Sequence, residues 1–140
     1  MKSQSCRVFL DANVIFTAAY NPTGLARLLF DLDRLSVLTL LGSEHVLEEA
    51  RINLSLKRPG ALDELRALEE RIRLIPVPAQ PAVSLELPQD DLLVFAAALA
   101  GRSTHLLTGD KKHFAPYFDR PDETRGVWIQ TVRRFFDERF

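Results

Sequence analysis

The stretch RVFLDANVIF, residues 7–16, places one acidic residue directly behind an apolar segment. Val8, Phe9 and Leu10 are the β-branched, aromatic and aliphatic residues that favour a short buried strand. Asp11 follows at the position where such a strand ends. An unpaired carboxylate is costly to bury, so this acid needs a partner, a solvent-filled cleft or a metal ion. The stretch therefore predicts a buried strand whose end carries a candidate functional acid.

The composition predicts one globular domain covering all 140 residues. Hydrophobic residues make up 46% and charged residues 26%, and the net charge of −1 excludes a polycation, so contact with nucleic acid would need a local basic patch. Cys6 is the only cysteine, which excludes an internal disulfide and argues against a zinc–thiolate site. The N-terminus has no secretory pattern, and the longest apolar run, from Leu92, is about half of what a bilayer span requires. We therefore expect a cytoplasmic protein with no membrane partner.

Strand and helix patterns alternate along the chain. Ser43 is a candidate N-cap for a helix at residues 44–57, which Pro59 and Gly60 end. Further helices are predicted at 25–35, 61–72, 90–101 and 131–140, further strands at 35–40, 73–78, 104–110 and 126–130, and a proline-rich surface connection from Pro76 to Pro88. No element is assigned between Asp11 and the turn YNPTG at 20–24. The alternation predicts an α/β fold, a three-layer α/β/α sandwich with a central, mainly parallel sheet.

Acidic residues come at the positions that such a sheet makes useful, because the reactive crevice lies beyond the carboxyl ends of the strands. Asp11 follows the first strand, and Asp110 follows the strand-like segment HLLTG. Asp91 lies in the first turn of a helix between two strands. On the helix at 44–57, Glu48 falls opposite the apolar arc, whereas Glu49 falls on its flank, so Glu49 is the better candidate. The sequence predicts that Asp11, Glu49, Asp91 and Asp110 meet at one edge.

Each acid also has a purely structural explanation. Asp90 or Asp91 could complement a helix N-terminus, and Asp110 could be an ordinary turn residue after glycine. Glu49 alone could be a solvated helix residue, and Asp11 alone could be an N-cap. The joint pattern is harder to explain in this way, because separate crossover units each deliver a carboxylate to the same edge.

Clustered carboxylates repel each other, and a divalent cation removes that cost. Hard oxygen ligands suit Mg²⁺ or Mn²⁺ better than zinc. Such an ion lowers the pKa of a bound water and stabilises the leaving oxygen of a phosphodiester, so metal-assisted hydrolysis is the chemistry that the pattern favours. The histidines share no metal-ligand spacing, and none is assigned to the metal: His45, His105 and His113.

Four motifs carry a resemblance to a known family. FLDANVIFTA (9–18), SEHVLEEARINL (43–54), DDLLVFAAALAG (90–101) and HLLTGDKKHF (105–114) occur in the order and spacing typical of PIN-domain nucleases. The resemblance covers residues 7–114. It implies a PIN-like fold and Mg²⁺- or Mn²⁺-dependent cleavage of RNA. Many small members of that family are toxins of toxin–antitoxin pairs, often dimeric and inhibited by a small antitoxin protein.

The resemblance also implies roles for individual residues. Those that match the metal-binding acids of the family are Asp11, Glu49, Asp91 and Asp110; those that match its supporting polar positions are Asn13, Thr17 and Thr108. Whether Asp90 shares the role of Asp91 stays open. Lys111 and Lys112 follow Asp110 directly and are candidate RNA-binding residues, although a solvated face of mixed charge explains them equally well.

The leading hypothesis is a metal-dependent ribonuclease, and the alternative is a non-catalytic PIN-like module that binds protein or RNA. Two other α/β classes fit poorly. A haloacid-dehalogenase-like phosphatase would need a second aspartate where Asn13 stands. A response-regulator receiver would carry its acidic pair near the N-terminus, whereas Asp90 and Asp91 come late in the chain.

Overall fold

The computed structural model describes residues 6–77, 83 and 85–140. Their strands, in chain order, are β1 Cys6–Leu10, β2 Leu38–Gly42, β3 Arg73–Leu74, β4 His105–Leu107 and β5 Trp128–Gln130. Their α-helices are α1 Ala12–Tyr20, α2 Leu25–Arg34, α3 Glu44–Lys57, α4 Leu62–Glu69, α5 Gln89–Ala100 and α6 Val132–Arg139, with short 3₁₀ turns at Pro59–Ala61 and Ala115–Tyr117. The predicted proline-rich connection between Pro76 and Pro88 lies in part outside the described residues.

The five strands form one parallel sheet in the order β3-β2-β1-β4-β5. Helix α1 packs against α2, α3 and α4, whereas α5 packs on β2 and β4. Helices thus cover the sheet, which is the usual condition for parallel strands, and its central strands are mainly apolar, apart from Arg7 in β1 and His105 in β4. The predicted three-layer α/β/α fold with a parallel central sheet is confirmed.

The strand order places a topological switch point between β1 and β4. From β1 the chain proceeds outward to β2 and β3 on one side, and then returns to form β4 and β5 on the other. Ligands of open α/β sheets bind outside the carboxyl ends of the strands at such a point. Asp11 follows β1 there, and Thr108 follows β4.

The core lies on both faces of this sheet. Its largest fully buried side chains include Phe9 of β1, Phe95 of α5 and Phe135 of α6. Burying a side chain of this size removes enough apolar area from water to stabilise the fold by about 1.5–3 kcal/mol. The described helices include none that is both long and apolar enough to cross a bilayer.

The structure corrects several local predictions. Among the described residues, strand β3 covers only Arg73–Leu74 of the strand predicted at 73–78, and β4 only His105–Leu107 of the strand predicted at 104–110. The segment after Asp11 forms the nine-residue helix α1, whereas the sequence predicted neither a helix nor a strand there. The second strand is Leu38–Gly42 and not 35–40, because the connection from α2 takes up the residues before it. Ser36 has a φ of 63°, and Val37 donates its N–H to Leu32, so the chain is still turning where the strand was expected to begin. The helix predicted at 44–57 has those bounds, and Ser43 caps it by accepting the N–H of Val46.

Candidate metal centre

Asp11 lies at the carboxyl end of β1, between the sheet and α1. Its backbone N–H donates to the carbonyl of Leu107 over 3.0 Å, which continues the pairing of β1 with β4 by one residue. Its Oδ1 atom accepts the N–H of Ala12 over 2.7 Å, so the carboxylate caps α1. The Asp11 residue is only 6% exposed. The acid that ends the strand therefore also starts the following helix, which fixes the direction of its carboxylate.

The carboxylate of Asp11 is energetically unfavourable in its charged form. Burial raises its pKa to about 6, and the negative charges of Asp91 and Glu49 act in the same direction. The hydrogen bonds from Thr108 and from the N–H of Ala12 oppose this shift without cancelling it. In the part of the chain that the structure describes, no lysine, arginine or histidine forms an ion pair with Asp11. A cation from outside the polypeptide would supply the missing charge.

Thr108 connects Asp11 to the turn that carries Asp110. Its hydroxyl donates to Oδ2 of Asp11 over 2.8 Å and accepts the N–H of Asp110 over 3.0 Å. Asn13 holds the same turn from α1, because its Oδ1 accepts the N–H of Gly109 over 2.7 Å. A side chain on Gly109 would crowd Asn13, with a Cβ 3.3 Å from Oδ1. These contacts lock the end of β4 against the start of α1.

Asp91 and Asp110 converge on one imidazole nitrogen. Nδ1 of His113 lies 2.9 Å from Oδ2 of Asp91 and 2.9 Å from Oδ2 of Asp110. One ligand atom from each of these three residues lies within 4.8 Å of the other two. Carboxylate oxygens are ligands of Mg²⁺ and Mn²⁺, and the softer imidazole nitrogen favours Mn²⁺ of these two. The donor set fits a divalent cation.

The pKa values of the two carboxyl groups in this group of three, Asp91 and Asp110, are shifted in opposite directions. Burial, followed by the charge of Asp110, raises the pKa of Asp91. Partial burial also acts to raise the pKa of Asp110, but hydrogen bonds from the N–H and ring of His113 and from the N–H of Lys112 outweigh it and hold that pKa below its usual value. Asp110 is therefore the acid of the group that keeps its negative charge most readily.

The other two predicted acids lie further out. Glu49 lies on α3 with its side chain about half exposed, outside the group of three, and its Oε1 is 4.0 Å from Nε2 of His45. Its negative charge still contributes to the raised pKa values of Asp11 and Asp91. Asp90, the neighbour of Asp91 in the first turn of α5, is exposed and lies outside the group. Of this pair, Asp91 is the one whose carboxylate enters the cluster.

The remaining predicted residues lie around this centre. Thr17 is exposed, and its hydroxyl donates to the backbone carbonyl of Asn13 over 2.8 Å, one turn earlier in α1. Lys111 and Lys112 are exposed on the turn after Asp110. Their roles in binding RNA stay a prediction.

His113 is the residue that sequence reasoning missed. Its spacing of three residues from Asp110 was a usable signal, because that spacing in a tight turn brings the ring back to the acid. Its contact with Asp91 had no local signal, since α5 and the turn after β4 meet only through packing.

Comparisons with known proteins support the fold. No family model and no curated protein matches the sequence. A structure of VapBC2 from Rickettsia felis, bound to a DNA fragment from its promoter, is similar, with a TM-score of 0.62 and 18% identity over 89% of this chain and 98% of that chain. A structure of VapBC-1 from nontypeable Haemophilus influenzae gives a TM-score of 0.58 and 17% identity over 91% of this chain and 98% of that chain. Likeness at these identities shows the fold, and the PIN-like fold predicted from the motifs is confirmed.

Proposed function

We propose that this protein is a metal-dependent ribonuclease that hydrolyses phosphodiester bonds of RNA. In this proposal Asp11, Asp91 and Asp110 hold Mg²⁺ or Mn²⁺, and Glu49 completes the negative cluster from α3. His113, whose sequence spacing did not predict a metal ligand, is a further candidate ligand.

One observation carries the proposal. Ligand atoms of Asp91, Asp110 and His113 lie within 4.8 Å of one another, at the sheet edge where the buried Asp11 also lies, which has no ion pair among the described residues. At Asp11 and Asp91 this arrangement is unfavourable for the protein alone, because burial and like charges raise the pKa of both carboxyl groups. It is favourable once a divalent cation is bound, and clustered acids of this kind are common at functional sites.

The residues around the centre have defined tasks in this proposal. A bound divalent ion would lower the pKa of a water and stabilise the charge that develops on the phosphodiester oxygens. Thr108 keeps Asp11 turned toward the cluster through its hydroxyl, and Asn13 keeps the turn at Gly109 in place. Lys111 and Lys112, on the turn after Asp110, supply positive charge for the phosphates of the strand.

The fold also suggests a partner. The two similar structures are VapBC complexes, which are toxin–antitoxin pairs whose toxin is a PIN-domain nuclease. We infer that this chain is the toxin of such a pair and that a small antitoxin protein binds it. The motif resemblance on which the nuclease proposal also draws points to the same role.

The test compares two neighbouring aspartates of the same helix turn. We expect the purified protein to cleave single-stranded RNA in the presence of Mn²⁺ or Mg²⁺, and we expect EDTA to abolish this cleavage. Asp91→Asn should lower kcat about a hundredfold or more, because it removes a charge needed to hold the ion near the transition state. Calorimetry with Mn²⁺ should show weaker binding to this variant than to the wild type.

Asp90→Asn is the matched control. It makes the same chemical change one residue away, on an exposed side chain outside the cluster, and should leave kcat within about threefold of the wild type. Equal activity of both variants would reject Asp91 as a ligand. A wild-type protein that binds no Mn²⁺ at millimolar concentration would instead favour the non-catalytic PIN-like module.

A further inference from the structure

A cavity of about 550 Å³ lies beside the metal centre, and none of the three clustered carboxylates Asp11, Asp91 and Asp110 is among the residues that line it. Its walls come from α1, from the start of α2, from the turn after β4 and from the start of α6. It shares Asn13, Thr108 and Gly109 with the centre. A group bound in this cavity would therefore be a direct neighbour of a group bound at the acids.

The cavity has the size and the lining of a small-molecule site. Its volume falls within the range of about 300–1,000 Å³ that is usual for ligand pockets. Its surface is mainly apolar, with Val14, Leu25 and Val132 among its walls. A flat aromatic ring system would find apolar contacts here. A fully base-paired strand would not expose one.

Two positively charged side chains that line the cavity form no ion pair with another described residue. Lys111 lies on the turn after β4, and Arg133 lies in the first turn of α6. Neither forms an ion pair or a side-chain hydrogen bond within residues 6–77, 83 and 85–140. Both are exposed, so an anion can reach them. Their charges are available for a phosphate group, in contrast to Arg134, which is bound to Asp119 and Glu138.

The polar groups inside the cavity are mostly donors and acceptors of neutral amides and hydroxyls. Asn21 uses its Oδ1 for the N–H and the hydroxyl of Thr23, and its Nδ2 has no acceptor in the described part of the chain. Thr17 donates its proton to the carbonyl of Asn13, which leaves the oxygen lone pairs free to accept from a ribose hydroxyl or a base amine. Apolar walls with a few placed polar groups and an anion-binding rim match the chemistry of a nucleotide.

We propose that this cavity binds one unpaired nucleotide next to the scissile phosphate, with its nucleoside against the apolar walls and its phosphate on Lys111 and Arg133. Its catalytic purpose rests on the proposed ribonuclease function, but its binding chemistry does not. The subsite favours single-stranded or splayed segments, because a base must leave its stack before its ring can contact the apolar walls.

The binding test uses the whole protein in EDTA, so that no metal ion contributes to nucleotide binding. Uridine 5′-monophosphate should shift the NMR signals of residues that line the cavity, such as Gly24, Lys111 and Val132. Arg133→Ala should weaken this binding about tenfold, the expected size for loss of a charge-assisted contact. Arg134→Ala removes an arginine from the adjacent position but not from the cavity, and should leave nucleotide binding unchanged.

Several outcomes overturn the subsite. No shift at millimolar nucleotide would reject it, and so would shifts confined to other surfaces. Inorganic phosphate that binds as tightly as the nucleotide would reduce the cavity to an anion site. Equal effects of Arg133→Ala and Arg134→Ala would remove Arg133 from it.

A second measurement separates this proposal from the nuclease proposal. With Mn²⁺ and single-stranded RNA, Arg133→Ala should raise KM about tenfold with little change in kcat, while its affinity for Mn²⁺ stays that of the wild type. Nucleotide binding without any RNA cleavage would reject the nuclease and keep the subsite. RNA cleavage that is indifferent to Arg133 would reject the subsite and keep the nuclease.

Discussion

Asp11 and Asp33 are two largely buried aspartates whose carboxylates have different charged neighbours. Asp33 lies at the end of α2, where β2 is about to begin, with its side chain 10% exposed. Its Oδ1 is 2.7 Å from an Arg71 nitrogen, and its Oδ2 accepts the N–H of Leu40 over 3.0 Å. Asp11, at the other end of the central strands, has hydrogen bonds from Thr108 and Ala12 but no ion pair among the described residues.

The difference separates a structural acid from a functional candidate. The chain supplies its own cation for Asp33, the guanidinium of Arg71, and removing one partner of such a pair is destabilising. For Asp11 the charges that act on its pKa, those of Asp91 and Glu49, are negative like its own. Placing further acids around a buried acid lowers the free energy of unfolding unless a cation from outside the polypeptide binds to them. Burial alone does not distinguish the two aspartates, and the sign of the neighbouring charge does.

The largest expected effect is a gain in stability from Asp11→Asn in the absence of metal. The folded pKa of about 6 lies above the ordinary value of 3.8, so ionised Asp11 costs about 3 kcal/mol at pH 7.5. Because the folded pKa is raised, this cost is full above pH 6 and vanishes below about pH 4. An asparagine keeps the acceptor for Ala12 and removes the charge.

Denaturant unfolding in EDTA measures this gain. The free energy of unfolding of Asp11→Asn should exceed that of the wild type by up to about 3 kcal/mol at pH 7.5, and by only about 1 kcal/mol at pH 4.5. A variant that is less stable than the wild type at pH 7.5 would mean that the charge of Asp11 is compensated in the fold, and the contrast with Asp33 would be lost.

The second effect has the opposite sign. Asp33→Asn should lower the free energy of unfolding by about 1–3 kcal/mol at pH 7.5, because it breaks the charge-assisted contact with Arg71. The matched control is Asp31→Asn on the same helix, whose ion pair with Arg34 is exposed. Its loss should be about 1 kcal/mol or less. If both variants lost the same amount, Asp33 would be an ordinary surface acid.

Local signals in the sequence predicted those elements that local interactions decide. The start of α3 followed from Ser43, whose side chain caps the helix, and its end followed from Pro59 and Gly60. Helix α1 was missed because Val14, Ile15 and Thr17 are β-branched and do not favour a helix by themselves. It forms because Val14 and Ile15 are buried, which is a tertiary effect.

The candidate centre shows the same division. The alternation of strands and helices was enough to predict that acids following β1 and β4 would lie at one edge, since the carboxyl ends of parallel strands meet there. The exact partner of each acid was not predictable, because Nδ1 of His113 reaches Asp91 only after α5 packs on the sheet. The peripheral position of Glu49 likewise depends on how far α3 lies from the edge, which a helical wheel does not give.

The smallest predicted effect concerns His105, a buried base at the beginning of the strand whose end leads to Thr108. Its ring packs edge-on against Phe135 at 5.0 Å, and its Nδ1 lies 2.8 Å from the hydroxyl of Thr104. Burial, then the positive charge of Arg139, lowers its pKa to about 4 from 6.5, against a smaller opposite effect of Glu138. At mildly acidic pH, His105 therefore binds a proton in the unfolded chain but not in the folded chain. The free energy of unfolding falls as the pH drops below about 6.5.

This pH dependence opposes that of Asp11, so the two ends of the central strands can be separated by their sign. His105 should cost the wild type about 1 kcal/mol between pH 7.5 and pH 5.5, and His105→Asn should remove that part of the change. The readout is the difference in unfolding free energy between the two pH values, in which the packing lost against Phe135 cancels. An unchanged difference in His105→Asn would mean that His105 takes up its proton in the folded state, and that Asp11 alone among these two carries a burial penalty.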